Sequence, residues 1–123
     1  MNILLVDDEP VLRRLAKMTL KVNGHTVVTA SNGAEVPEVV NESTTDFDLV
    51  ITDHEMPKVP SLELIRRLHG TDFHGEVVVW SGSLNTELRE CYTRLGVRHC
   101  LSKPVSSDVL NGIVDELAEE LAA

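Results

Sequence analysis

Three acidic positions, one serine and one lysine, far apart along the chain, have the side-chain types needed for chemistry on a phosphoryl group. Asp7 and Asp8, with Glu9, follow a first apolar run; Asp53 follows a third, Ser81 a fourth, and Lys103, before Pro104, a fifth. Each is expected just past the C-terminal end of a strand. In an open parallel α/β sheet that edge is where ligands bind. Carboxylates brought within a few ångströms repel, which raises their pKa values or calls for a cation. Oxygen donors of this kind suit Mg²⁺, which takes one or two carboxylates together with carbonyl, water and phosphate oxygens. Mn²⁺ accepts the same donors and is the substitute ion. A carboxylate in such a setting can attack phosphorus and become an acyl phosphate.

Each residue also has a plainer reading. Glu9 is best explained by the dipole of a helix starting at Pro10, which favours an acid at its N-terminus. Asp7 and Asp8 together with Asp53 fit a metal better than a helix start. The plainer reading of Asp53 is an ordinary loop acid, yet residues 48–52 deliver it to the functional edge. The stretch Trp80-Ser81-Gly82-Ser83 is unremarkable loop composition, but the Ser81 hydroxyl could donate to a phosphoryl oxygen. A lone lysine is normally surface charge. Opposite several carboxylates, Lys103 is better placed to pair with a phosphoryl oxygen as a compact cation.

The elements between these residues must carry them to one place, and two periodicities alternate along the chain. Ile3-Leu4-Leu5-Val6, Thr26-Val27-Val28-Thr29-Ala30, Leu49-Val50-Ile51, Val77-Val78-Val79-Trp80 and the weaker residues 98–102 are short runs, mostly β-branched or apolar. Continuous apolarity is expected of strands covered on both faces. Between them lie helical periods: Leu12, Leu15 (with Ala16) and Val22; Leu84, Leu88, Cys91 and Leu95; and Leu110, Ile113, Val114, Leu117 and Leu121. Asn32 with Glu35 resembles a capping box opening the second helix. Pro60 fits the first turn of the third helix. Gly24, Gly70 and Gly96 fit left-handed C′ positions. Five βα units in succession predict a parallel sheet with right-handed crossovers and helices on both faces.

The bulk composition sets outer limits. A chain of 123 residues without a Pro/Gly/Ser-rich linker reads as a single domain over residues 1–123. A formal charge of −9 disfavours direct contact with nucleic acid or anionic lipid. Arg66-Arg67 and Arg94 with Arg98 are local basic candidates, best taken as solvated faces. Aromatics are scarce, so the core rests on Val, Leu, Ile and Ala. Cys91 and Cys100 are too few for a disulfide framework and read as reduced thiols. With neither a membrane-length apolar run nor a signal peptide before the first strand, the chain reads as soluble and cytoplasmic, not membrane-bound.

At this point the motifs resemble a known family. Ile3-Leu4-Leu5-Val6-Asp7-Asp8-Glu9-Pro10, Asp48-Leu49-Val50-Ile51-Thr52-Asp53-His54-Glu55-Met56-Pro57, Val79-Trp80-Ser81-Gly82 and Leu101-Ser102-Lys103-Pro104 are similar to the receiver domain of bacterial two-component response regulators. The resemblance spans essentially the whole chain. It implies a flavodoxin-like, doubly wound (βα)5 sheet of strand order 2-1-3-4-5. It also implies Asp53 as phosphoacceptor, fed by a phosphohistidine on a histidine kinase or histidine phosphotransfer protein. Asp8, the Asp53 side chain and the Glu55 backbone carbonyl would ligate Mg²⁺, with Asp7 acting through water. Ser81 and Lys103 would bind the phosphoryl group, and the Lys103-Pro104 bond would be cis. Such a domain promotes its own phosphorylation and dephosphorylation, without independent substrate turnover, and signals to a downstream protein effector. It would be a monomer or a weak dimer through the fourth helix, fifth strand and fifth helix.

The pattern departs from the family in several places. Receivers usually carry Tyr or Phe three residues before the lysine, and here that position is Cys100. A thiol cannot sweep between two positions as a ring does, so a variant readout is expected, or else a pseudo-receiver that serves as an interaction module without phosphate. Gly82 stands where alanine is common, Lys58-Val59-Pro60-Ser61 replaces a glycine-containing loop, and Val105 replaces a frequent aromatic. Glu55 and Ser83 occupy positions that tune acyl-phosphate lifetime. A flavodoxin-like electron carrier would need a Ser/Thr/Gly-rich loop after the first strand, and a haloacid-dehalogenase-type phosphatase an Asp-x-Asp there; neither fits Asp-Asp-Glu-Pro. Met1 so near the first strand suggests a natural start, and the chain reads either as a stand-alone receiver or as one cut from a larger regulator.

Overall fold

In the computed structural model, which describes residues 1–43, 46–55 and 60–122, five strands alternate with five helices. The order is β1 (Asn2–Val6), α1 (Pro10–Val22), β2 (Thr26–Ala30), a 3₁₀ turn (Gly33–Glu35), α2 (Val36–Glu42), β3 (Leu49–Asp53), α3 (Ser61–Leu68), β4 (Glu76–Ser81), α4 (Thr86–Arg94), β5 (His99–Ser102) and α5 (Ser107–Ala122). The strands pair in parallel in the order β2-β1-β3-β4-β5. This is the flavodoxin-like receiver fold. The motif residues Met56-Pro57 and Lys58-Val59, and Ala123, lie outside the described residues.

The two-residue repeat of a strand sends alternate side chains to opposite faces, and both faces here are covered. Leu4, Val6, Val50 and Val79 pack with Val36, Leu64, Ile65, Leu68 and Tyr92 on one side. Ile3, Leu5, Ile51, Val78 and Trp80 pack with Ala16, Leu20, Leu110, Val114 and Leu117 on the other. The register then fixes where the strands end: Val6 lies beside Thr52, Asp53 beside Trp80, and Ser81 beside Ser102. The residues that follow or finish these strands therefore share one edge.

Several local expectations are corrected. In α1 the buried residues are Ala16 and Leu20, while Leu15 is 56% and Val22 90% exposed. The helix carries two apolar stripes, and periodicity cannot choose which one meets the sheet. In α4 the buried side chain is Tyr92; Leu88, Cys91 and Leu95 are only half-buried, and Leu84 precedes the helix. Leu121 at the end of α5 is exposed. Asn32 caps the 3₁₀ turn by accepting from the Ala34 N–H at 2.9 Å, and its amide donates to the Glu35 carboxylate, so no reciprocal capping box forms. Pro60 is the N-cap of α3, one position earlier than expected. Gly24 and Gly96 adopt φ of 90° and 88°, whereas Gly70 is absent from the positive-φ glycines.

The junction into β4 depends on close backbone approach. A Cβ on Gly75 would lie 2.4 Å from the Asp48 carbonyl oxygen. That same oxygen accepts the Glu76 N–H at 3.0 Å. Gly75→Ala is expected to lower stability by about 1–3 kcal/mol through overpacking against backbone, read as an earlier urea midpoint. An unchanged midpoint would show that the junction relaxes freely.

Candidate functional site

Asp7 leaves β1 completely buried, with its N–H donating to the Ala30 carbonyl at 3.2 Å and its Oδ1 accepting the Glu9 N–H at 2.9 Å. Arg13 of α1 donates to the Asp7 carbonyl oxygen at 2.7 Å, which ties the helix to this turn. Asp53 is the last residue of β3 rather than the first beyond it, and is 2% exposed. Its Oδ1 accepts the Glu55 N–H at 3.0 Å and its Oδ2 accepts Lys103 Nζ at 2.8 Å. The same ammonium lies 3.5 Å from Asp7 Oδ2. Asp8 is exposed, yet carboxylate oxygens of Asp7, Asp8 and Asp53 all fall within 4.8 Å of one another. The structure thus brings together the three acids and the lysine.

Ser81 likewise closes β4 instead of following it. Its hydroxyl donates to Glu55 Oε1 at 3.2 Å and accepts the Ser83 N–H at 3.0 Å, while the Ser83 hydroxyl donates to the same Glu55 oxygen. Glu55 therefore enters the site by its side chain, bridging β3 and β4. The Lys103 N–H donates to the Ser81 carbonyl at 2.8 Å, the Lys103-Pro104 bond is cis, and Nζ sits 5.7 Å from the centroid of the Trp80 ring.

The electrostatics follow from burial and pairing. Burial pushes the Asp7 carboxyl above its ordinary range, opposed by the Glu9 N–H and the Lys103 charge. Burial acts to lower the Lys103 pKa, but the Asp53 hydrogen bond and the Asp7 and Asp53 charges outweigh it, so the ammonium is held above its usual value. The Ser83 and Ser81 hydroxyls hold Glu55 below the ordinary carboxylate range. The donor set around Asp7, Asp8 and Asp53 is all oxygen and net negative even after pairing with Lys103, which suits a hard divalent cation.

Arg98 pairs with Glu120 at 2.6 Å and Glu76 at 3.7 Å, and Arg66 and Arg67 pair with Glu63, so these arginines are solvated ion pairs. The basic surface lies instead on α1, whose Arg13, Arg14, Lys17 and Lys21 have no acidic residue among them. Cys100 on β5 is half-buried, and burial raises its thiol pKa. Three further residues lie behind Asp53. The Ser61 hydroxyl donates to the Asp53 backbone carbonyl, and Tyr92 shares a hydrogen bond with His54 Nδ1. The only sequence signal for them was the missing ring at Cys100.

Comparison with known proteins agrees with this geometry. The model of the response regulator receiver domain matches residues 3–115. The chain is 32% identical over 117 residues to the two-component response regulator ARR22 of Arabidopsis thaliana, covering 94% of this chain and 82% of that protein. It is 32% identical over 121 residues to the transcriptional regulatory protein GlrR of Escherichia coli, covering 98% of this chain but only 27% of that protein. A response regulator receiver domain structure from Clostridium thermocellum superposes with a TM-score of 0.86 at 27% identity, covering 99% of this chain and 98% of the other. The acidic edge built by β1 and β3, closed by a lysine from β5, is thus set in a chain that belongs to the response regulator receiver domain family of two-component signalling.

Proposed function

We propose that this chain is a phosphorylatable switch in which Asp53 accepts a phosphoryl group from a phosphohistidine on a histidine kinase or histidine phosphotransfer protein. The observation that carries this reading is Lys103 Nζ at 2.8 Å from Asp53 Oδ2, with carboxylate oxygens of Asp7 and Asp8 beside it. Asp8, the Asp53 side chain and the Glu55 backbone carbonyl would hold Mg²⁺, or Mn²⁺ in its place, with Asp7 acting through water. When bound, the ion neutralises charge on the transferring oxygens.

The chain's own residues do the rest. One Asp53 carboxylate oxygen bonds to phosphorus as the donor's P–N bond breaks, and the imidazole keeps that electron pair and takes a proton. Lys103, freed from Asp53 Oδ2, turns its ammonium to a phosphoryl oxygen. Ser81 redirects its hydroxyl from Glu55 to another. Glu55, left facing the acyl phosphate beside Ser83, shapes access of the hydrolytic water. The chain acts as one cytoplasmic receiver domain over residues 1–123, without independent turnover, and signals to a protein effector. A weak dimer would use α4, β5 and α5. Among the described residues no helix is long and apolar enough to cross a membrane.

The phosphodonor protein is expected on α1. Val11, Leu15, Met18 and Val22 form an exposed apolar stripe, flanked by Arg14, Lys17 and Lys21, on the helix that opens just after Asp8. Such a face fits a partner helix that is apolar with acidic flanks. Leu15→Glu should slow transfer from a protein donor at least about tenfold, leaving phosphorylation by phosphoramidate unchanged. Equal loss with both donors would count against docking there.

Acetyl phosphate or phosphoramidate with Mg²⁺ should give a labile phosphate adduct by intact mass, abolished by EDTA and by Asp53→Ala. Wild-type protein that stays unmodified would favour the pseudo-receiver reading, which Cys100 keeps in play.

Asp7 supplies a separate test. Its folded-state pKa lies above its unfolded value, so the ionised side chain weakens the metal-free fold at neutral pH. That penalty vanishes as pH falls through the raised pKa. Asp7→Asn should therefore raise the metal-free Tm, while shrinking the stabilisation that Mg²⁺ gives. A lowered metal-free Tm would contradict this.

A further inference from the structure

The Asp53 site has a second layer that the phosphoacceptor chemistry does not use. We propose that Tyr92, through Ser61 and His54, is the positioning residue that reports the state of Asp53 to α4, in place of a ring on β5. The proposal deepens the phosphoacceptor reading and rests on it.

The geometry is specific to these side chains. Tyr92 is completely buried and is the only buried residue of α4 among those described, so its ring is the helix's anchor in the core. Its hydroxyl meets His54 Nδ1, and the two rings stand edge to face at 87° with centroids 5.7 Å apart. Ser61 lies near enough to act on the ionisation of the same hydroxyl. Ser61 is itself fully buried: its hydroxyl donates to the Asp53 backbone carbonyl and lies 3.3 Å from Thr52 Oγ1. One phenol thus bonds the residue after the acceptor and neighbours the group that holds the acceptor's own peptide.

These contacts give motion a path. His54 is fixed to the end of β4 through its N–H to the Trp80 carbonyl at 2.9 Å. A change in charge or bonding at Asp53 that tilts the peptide between Asp53 and His54 therefore shifts His54 and Ser61 together. Both partners of the Tyr92 hydroxyl then move. The ring is rigid, so displacement at its hydroxyl reaches the α4 backbone, where His54 and Leu88 border an open surface depression. Burial also pushes the Tyr92 phenol far above its ordinary pKa, which keeps the proton on the hydroxyl. On β5, Cys100 packs against the cluster that contains Tyr92. The ring absent from the strand is supplied by the helix.

A double-mutant cycle in the full chain tests this, read by amide NMR. Asp53→Asn perturbs the acceptor without any phosphoryl group. It should shift the Thr86–Arg94 amides, and Tyr92→Phe should cut those shifts by more than half while signals of residues 53–55 and 81–83 still respond. Ser61→Ala, which leaves the ring in place, should give a smaller cut of the same kind. Equal α4 shifts with and without the Tyr92 hydroxyl would overturn the proposal, as would α4 amides that ignore Asp53→Asn in the wild-type background. Beryllofluoride with Mg²⁺ forms the parallel arm. If wild-type residues 53–55 and 81–83 ignore it, the phosphoacceptor reading fails, and the Asp53→Asn cycle still decides the Tyr92 relay.

Discussion

The constraint on which this structure turns is the burial of two carboxylates around one ammonium. Asp7 and Asp53 are withdrawn from water at the ends of adjacent strands, and Lys103 reaches both from the turn after β5. Taking such charges out of water costs several kcal/mol per ion by order of magnitude. One lysine cannot offset two buried acids with a third, Asp8, alongside. The metal-free site is therefore held in a state of excess negative charge, which is the condition a cation relieves. By the same imbalance, any further anion placed there requires added positive charge.

The sheet makes that arrangement affordable. Parallel strands covered on both faces bury long apolar side chains throughout their length, and only their ends are free to carry charge. Leu4 and Val6 serve one core while Ile3 and Leu5 serve the other, so β1 has no position within it for an acid. The first available place is Asp7. The parallel register then aligns that position with the end of β3, and the short β5 brings Lys103 across β4 through the bond between the Lys103 N–H and the Ser81 carbonyl. Core packing and site geometry are consequences of one pattern.

That is also why the first layer of the site was legible in the sequence. Asp7, Asp8, Asp53, Ser81 and Lys103 each sit at the end of a readable apolar run, and strand ends of a parallel sheet meet. The α1 face was not legible, because Val11, Leu15, Met18 and Val22 compete with Ala16 and Leu20 and only the sheet decides between them. The turn at Asn32 went to a 3₁₀ start because its side chain bonds two residues ahead, a choice that composition does not reveal. Tyr92 lies in no motif, and the stretches that contain His54 and Ser61 give their side chains no role. Their one trace is the thiol at Cys100, where a ring is usual in the family, in a chain with a single tyrosine.

The buried phenol on α4 has a chemical consequence that an aliphatic residue would not have. A phenol buried to this depth must find a partner for its hydroxyl, since an unpaired buried polar group costs about 1–3 kcal/mol. The Tyr92 hydroxyl is paired with His54, with Ser61 nearby; His54 is bonded to the Trp80 carbonyl and Ser61 to the Asp53 carbonyl. Satisfying the hydroxyl therefore couples α4 to Asp53 as a matter of packing. A leucine or methionine at the same place would fill the cavity and anchor the helix, yet leave the helix indifferent to the acceptor. On this view the thiol at Cys100 does not abolish an aromatic readout; the tyrosine of α4 carries it and, through its hydroxyl, links it directly to His54 beside Asp53.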